Sequence, residues 1–161
     1  MLLAVVTLAL GGLSQEHTDL LNEAEAELRN PAGGGKVSQD TIDELRSAVA
    51  EDPKSLDLLT ALGYALLPSE PEEALKPLRK ALRLSKQKDA DADVHGQKDG
   101  DDEVALTLHR TVVETLMKLQ RFEDAATVHA MYGYELDAKT HQRLSLKLTQ
   151  TAETQSAVEA A

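Results

Sequence analysis

The chain has no cysteine and no tryptophan, and its aromatic residues are confined to Tyr64, Phe122, Tyr132 and Tyr134. Without thiols there is no disulfide framework, no thiolate metal site and no cysteine nucleophile, and the redox compartment leaves no mark on the sequence. With so few aromatics the chain lacks the strand-forming side chains on which a β-sandwich core draws. Basic residues are also short: 17 Lys and Arg stand against 28 Asp and Glu, a net charge of −11. That balance repels phosphate backbones, so nucleic acid is not an expected partner. The apolar run at residues 1–13 (MLLAVVTLALGGL) falls short of the ~20 residues a membrane-spanning helix needs.

The 161 residues are instead rich in Leu, Ala and Val, enough to bury one core. Such side chains suit helices whose backbones approach closely, and the expected fold class is all-α. The negative charge is local. Residues 89–103 carry seven acids and one Lys, a net −6, which leaves −5 for everything else.

The run at 1–13 has the length of the apolar region of an export signal, with Ala9 and Gly11 as small residues near a cleavage point, but its only positive charge is the α-amino group. Export is the first reading. A cytoplasmic protein with a buried first helix is the alternative.

Seven helices are expected. Ser14 caps one that runs to about Arg29, with Leu20, Leu21, Ala24 and Leu28 on one face. The Asn30-Pro31 and glycine stretch stops it. Ser38 caps a second, with Ile42, Leu45, Ala48 and Val49 as its apolar stripe, ended by Asp52-Pro53. A third covers 55–67. The turn Pro68-Ser69-Glu70-Pro71 leads to a fourth, to about Ser85, which Pro77 is expected to kink or loosen near Glu73. Residues 87–102 hold too little apolar surface for a packed element and read as an acidic, flexible insertion. A fifth helix runs from 102 or 103 to about 119, a sixth over 122–136 and a seventh over 139–152, with 153–161 as a fraying tail. In the seventh, Leu144, Leu146 and Leu148 alternate, so only some of them can face one neighbour.

An internal repeat links these helices. Thr41-x3-Leu45-x2-Ala48 recurs as Ala74-x3-Leu78-x2-Ala81, 33 residues on, and as Ala125-x3-His129-x2-Tyr132, a further 51 on, the acidic insertion supplying the excess. The helix before the second copy reads Leu59-x2-Leu62-Gly63-x2-Leu66, and the helix before the third His109-x2-Val112-Val113-x2-Leu116. Gly63, Ala74 and Ala81 are small where paired helices would touch, and Leu59, Leu62, Leu66 and Leu78 fill the space around them.

On these residues the chain resembles the tetratricopeptide repeat family over about residues 16–137. It departs from the family pattern in having no Trp, in a middle turn one residue short, in Val113 at a small-residue position, and in His129 and Tyr132. The resemblance implies an α-solenoid of stacked antiparallel helix pairs. Its units are 14–53, 54–86 and 103–137, with 139–152 as a capping helix. It also implies a concave face that holds a peptide or partner helix, making the chain a protein–protein interaction or scaffold module. Positions turned away from each pair's second helix are Asp57, Thr60 and Tyr64 in the middle unit, and Thr107, Arg110, Glu114, Met117 and Lys118 in the third. Tyr64 is the foremost contact on this reading, since exposed aromatics anchor interfaces. Solvated helix faces are the competing account of the same residues.

Other chemistry finds less. Gly33-Gly34-Gly35-Lys36 follows a helix and is followed by Val37, so it does not match a phosphate loop. Asp89, Asp91 and Asp93 alternate as calcium ligands do, and a calcium-responsive regulator is an alternative reading of the chain. However, Val94 stands where an EF-hand requires Gly and Gly100 where it requires Glu. His109 and His129 lie on the two helices of one pair and can meet, yet two histidines fall short of a structural zinc site. No nucleophile-elbow or HExxH pattern is present, so neither an enzyme nor a cofactor is expected. A further alternative is that the chain is an accessory fragment of a larger protein.

Overall fold

In the computed structural model of the protein, residues 14–30, 35–92 and 101–159 are described; for 88–92, 101–102 and 154–159 the description is of the helical backbone alone. The candidate export signal at 1–13 lies outside the described residues, as does the centre of the acidic insertion. The described residues form seven helices and no strand: α1 (Gln15–Arg29), α2 (Gln39–Glu51), α3 (Leu56–Leu66), α4 (Pro71–Ala92), α5 (Asp101–Lys118), α6 (Phe122–Tyr132) and α7 (Ala138–Glu159). The fold is all-α, as expected. Among the described residues no helix is long and apolar enough to cross a membrane.

The first three helix starts are serine caps. Ser14, Ser38 and Ser55 have extended backbones, and their hydroxyls accept from the His17, Thr41 and Leu58 amides at 3.3, 3.2 and 3.3 Å. Each cap pairs an amide that would otherwise end its helix unbonded. A second device, not legible in the sequence, joins α1 to α2. The Glu27 carboxylate accepts from the Ser38 amide at 2.6 Å and from the Thr41 hydroxyl at 3.4 Å. It places a negative charge at the positive end of α2.

The chain divides into two compact units, the first ending at Leu108 and the second beginning at His109. In the first, α3 is central: α1, α2 and α4 all pack on it, and α4 most extensively. Every residue of α3 from Leu58 to Leu66 is buried as a result. The α3–α4 contact is as close as the repeat pattern implies. A Cβ built on Gly63 would lie 2.5 Å from both Cγ and Cδ2 of Leu78. Ala74, Leu78, Ala81 and Leu82, on the facing stripe of α4, have no exposure at all. Arg46 ties α2 to the start of α4, reaching Asp43 at 3.0 Å and Glu70 at 3.3 Å.

Helix α4 runs through Pro77, which is buried, without a break from Pro71 to Ala92. One expectation for it needs correction: the helix continues past Ser85 into the stretch read as loop. Lys, Gln and Ala are adequate helix formers, so backbone propensity carries the helix beyond its apolar stripe.

In the second unit α6 and α7 pack together. The α5–α6 turn is tight. Gln120 takes φ 60°, and the Arg121 amide returns to the Leu116 carbonyl at 2.9 Å. The sixth helix ends earlier than expected, at Tyr132, because Gly133 adopts the left-handed conformation (φ 69°, ψ 9°) and its amide bonds the His129 carbonyl at 2.9 Å. Asp137 then starts α7, accepting from the Thr140 amide at 3.0 Å. The Thr140 hydroxyl and amide together hold the Asp137 carboxyl below the usual carboxylate range. The seventh helix is longer than the predicted cap and carries through to Glu159. Of its alternating leucines, Leu144 is buried and Leu146 is 56% exposed.

Candidate functional site

The residues singled out from the sequence divide between the two units. In the first, Thr60 and Tyr64 are buried, at 3% and 7% exposure, while Asp57 and Thr107 are half-buried. Tyr64 is therefore not the exposed aromatic that the helix-pair pattern led us to expect. The pattern considers only α4 as a neighbour of α3, whereas α1 and α2 cover α3 as well. In the second unit Arg110, Glu114 and Lys118 are exposed, and Met117 is 9% exposed.

Met117 and Lys118 do line a cavity in the second unit. The last turn of α5 supplies these two residues, and the turn and first residue of α6 add Gln120 and Phe122. Helix α7 closes it with Arg143, Leu146 and Lys147, around a volume of about 440 Å³. The 143, 146 and 147 positions fall on one helical face because they are three and four residues apart. Its apolar lining is Met117, Phe122 and Leu146. The rim carries three cations and no carboxylate. Lys147 bonds the neutral Gln150 side chain at 3.0 Å. On the other side of Phe122 a second cavity of about 430 Å³ is bordered by Glu123 and Asp124, and there Arg121 Nε donates to Asp124 at 2.7 Å.

The first unit has a groove of opposite sign. Glu16, His17 and Leu20 of α1 face Asp43, Glu44, Ser47, Ala48 and Glu51 of α2 around about 390 Å³. Four of these side chains are carboxylates, and the one basic group is His17, whose Nε2 lies 3.5 Å from Glu51.

Unit 2 also holds a cluster of imidazoles. His109 and His129 meet as their helices predict, with ring centroids 5.5 Å apart. His141 of α7, which sequence reading did not connect to them, lies 5.9 Å from His129. Tyr134 and Tyr132 flank His109 at 5.6 and 6.5 Å. His109 has no exposure, and neither of its ring nitrogens has a hydrogen-bond partner. Burial first, then the neighbouring His129 and Arg110, lower its pKa from 6.5 to about 4, so the ring is neutral near pH 7. Among the described residues no group of three or more His, Asp or Glu is arranged to hold a metal ion. The weak calcium candidates are not placed: Asp93 lies outside the described residues, and the side chains of Asp89 and Asp91 are likewise outside the description.

No protein-family model matches the chain, and no curated protein or solved structure matches it.

Proposed function

We propose that the protein is a protein–protein interaction module, a tetratricopeptide-like stack of helix pairs that holds a peptide or a partner helix. The observation that carries this reading is the groove of unit 2. It combines an apolar lining, a side chain as exposed as Leu146, and a polar rim, the anatomy of a small peptide-docking site. Two residues singled out from the repeat pattern, Met117 and Lys118, belong to it. The α3–α4 hairpin supports the repeat reading, since Gly63, Ala74 and Ala81 serve as its close-contact positions.

The test is selection of a displayed random-peptide library on the immobilised full chain, run in parallel on a Leu146→Asp variant. Leu146 is exposed, so the substitution leaves the fold intact and puts a charge in the groove lining. The expected result is peptides enriched on the native chain and lost on the variant. A library that enriches nothing above the blank surface, or that enriches equally on both, would overturn the reading.

A further inference from the structure

We propose that the unit 2 groove takes an acidic helical segment, with carboxylates one turn apart and an apolar side chain between them. This deepens the interaction-module reading and rests on it.

Charge carries the argument. The protein has a net charge of −11, yet Lys118, Arg143 and Lys147 converge on one groove with no Asp or Glu among its lining residues. Four basic side chains elsewhere sit in ion pairs, Arg29 with Glu25, Arg46 with Asp43 and Glu70, Lys76 with Glu73, and Arg121 with Asp124, while others stand along the helices rather than gathered at a cavity. Among the described residues, no carboxylate pairs with the three groove cations. In so acidic a chain, a local positive field left unneutralised is complementary to an acidic partner.

Spacing and lining narrow the partner. Arg143 and Lys147 stand one turn apart on α7, a separation of about 5–6 Å between Cβ atoms. A partner helix repeats carboxylates at the same interval. Met117, Phe122 and Leu146, which line the same cavity as the cations, offer an apolar seat, and the aliphatic stems of Lys and Arg side chains can extend it. A polynucleotide fits poorly: it would present no apolar anchor to that seat, and its long run of phosphates would meet the net negative charge of the rest of the chain.

The experiment is a titration of the full chain, labelled at its methyl groups, with three stapled helical peptides of about 12 residues. All three share one central Leu. They carry Glu, Gln or Lys at the positions one turn apart. The Met117 and Leu146 methyl resonances report occupancy. The Glu peptide is expected to shift both resonances, and the Lys peptide neither. Raising the salt to about 1 M should weaken the Glu complex. The triple variant Lys118→Glu, Arg143→Glu, Lys147→Glu should bind the Glu peptide about tenfold or more weakly and gain affinity for the Lys peptide. Circular dichroism of that variant, and a second variant with Gln at the same three positions, separate lost charge from lost fold.

Equal binding of the Gln and Glu peptides would overturn the acidic-partner inference while leaving the interaction module standing. If no peptide moves either methyl, and the displayed library also enriches nothing, both fall. A short DNA oligonucleotide that shifts these methyls more strongly than the Glu peptide would overturn the inference in favour of a general polyanion site.

Discussion

The two units solve the problem of a core with few aromatics in different ways. Unit 1 surrounds one helix: α3 is enclosed by α1, α2 and α4, and its interior is mostly Leu and Ala, with Ile42 and Tyr64, closed tightly around Gly63. Unit 2 has a smaller set of buried aliphatics, Val112, Val113, Leu116, Ala125, Val128 and Leu144 among them, and completes its interior with the His109 ring, which packs against the half-buried His129 and Tyr134. The surfaces diverge in parallel, with an acidic groove on the first and a basic one on the second. The comparison teaches that the degenerate repeat pattern of the second unit accompanies a change of chemistry. Where the pattern is well kept the residues serve packing. Where it lapses, titratable and basic groups appear.

The comparison can be broken most forcefully at Gly63 and Leu78. If unit 1 depends on close fit, Leu78→Ala should cost about 2–5 kcal/mol by leaving a cavity. Gly63→Ala should cost about 1–3 kcal/mol by overpacking, beyond what its gain in helix propensity returns. The pair should not be additive: the added methyl enters the space that Leu78 vacates, so the double variant should lose less than the sum of the singles. Urea unfolding of the four proteins measures this. Strict additivity would show that the helices can move apart and that fit is not what holds them.

The next effect belongs to unit 2. In the unfolded chain His109 takes a proton near 6.5, whereas the folded ring resists it until about 4. Between those values the unfolded state binds more protons, so stability is whole above 6.5 and falls as the pH is lowered towards 4. The loss is about 2 kcal/mol by pH 5. Amide exchange should quicken in α6 and α7 over this range, and His109→Leu should remove the His109 contribution. An exchange profile that responds identically in the variant would show that the buried ring is not the acid-sensitive group.

The smallest effect tests whether unit 1 is as well completed as its packing suggests. The Thr60 hydroxyl is buried in α3 with no hydrogen-bond partner. Thr60→Val keeps the shape and removes the unpaired group, so it should raise stability by about 1 kcal/mol. A lowered thermal midpoint would show that the hydroxyl is paired in solution.

What could be foreseen followed the range of the forces involved. The serine caps were legible because a cap is settled within four residues. The small-residue contact of α3 and α4 was legible because both partners lie in one hairpin, and the pattern at Gly63, Ala74 and Ala81 records it. The burial of Tyr64 was not, since it depends on α1 and α2 arriving from earlier in the chain. For the same reason the basic groove was only half visible. Met117 and Lys118 were identified on α5, but Arg143, Leu146 and Lys147 come from a helix whose face could not be oriented beforehand. His141 joined the imidazole cluster unannounced, because nothing in its local sequence ties it to His129. Helix ends fared worst where the deciding residue was conformational, as with Gly133, or where a helix continued into a stretch without an apolar stripe, as with α4.

The Glu27 bridge gives the α1–α2 connection an engineering value. The carboxylate joins α1 directly to the first residues of α2, so the register of the two helices is held at the root of their connection rather than by the connection itself. Chain added between Asn30 and Gly35 would then lengthen an already closed ring, and doubling such a loop costs only about 0.6 kcal/mol. The stretch between Asn30 and Gly35 is therefore the place to graft a tag, a fluorophore or a second binding module while keeping the Glu27 bridge from α1 to α2.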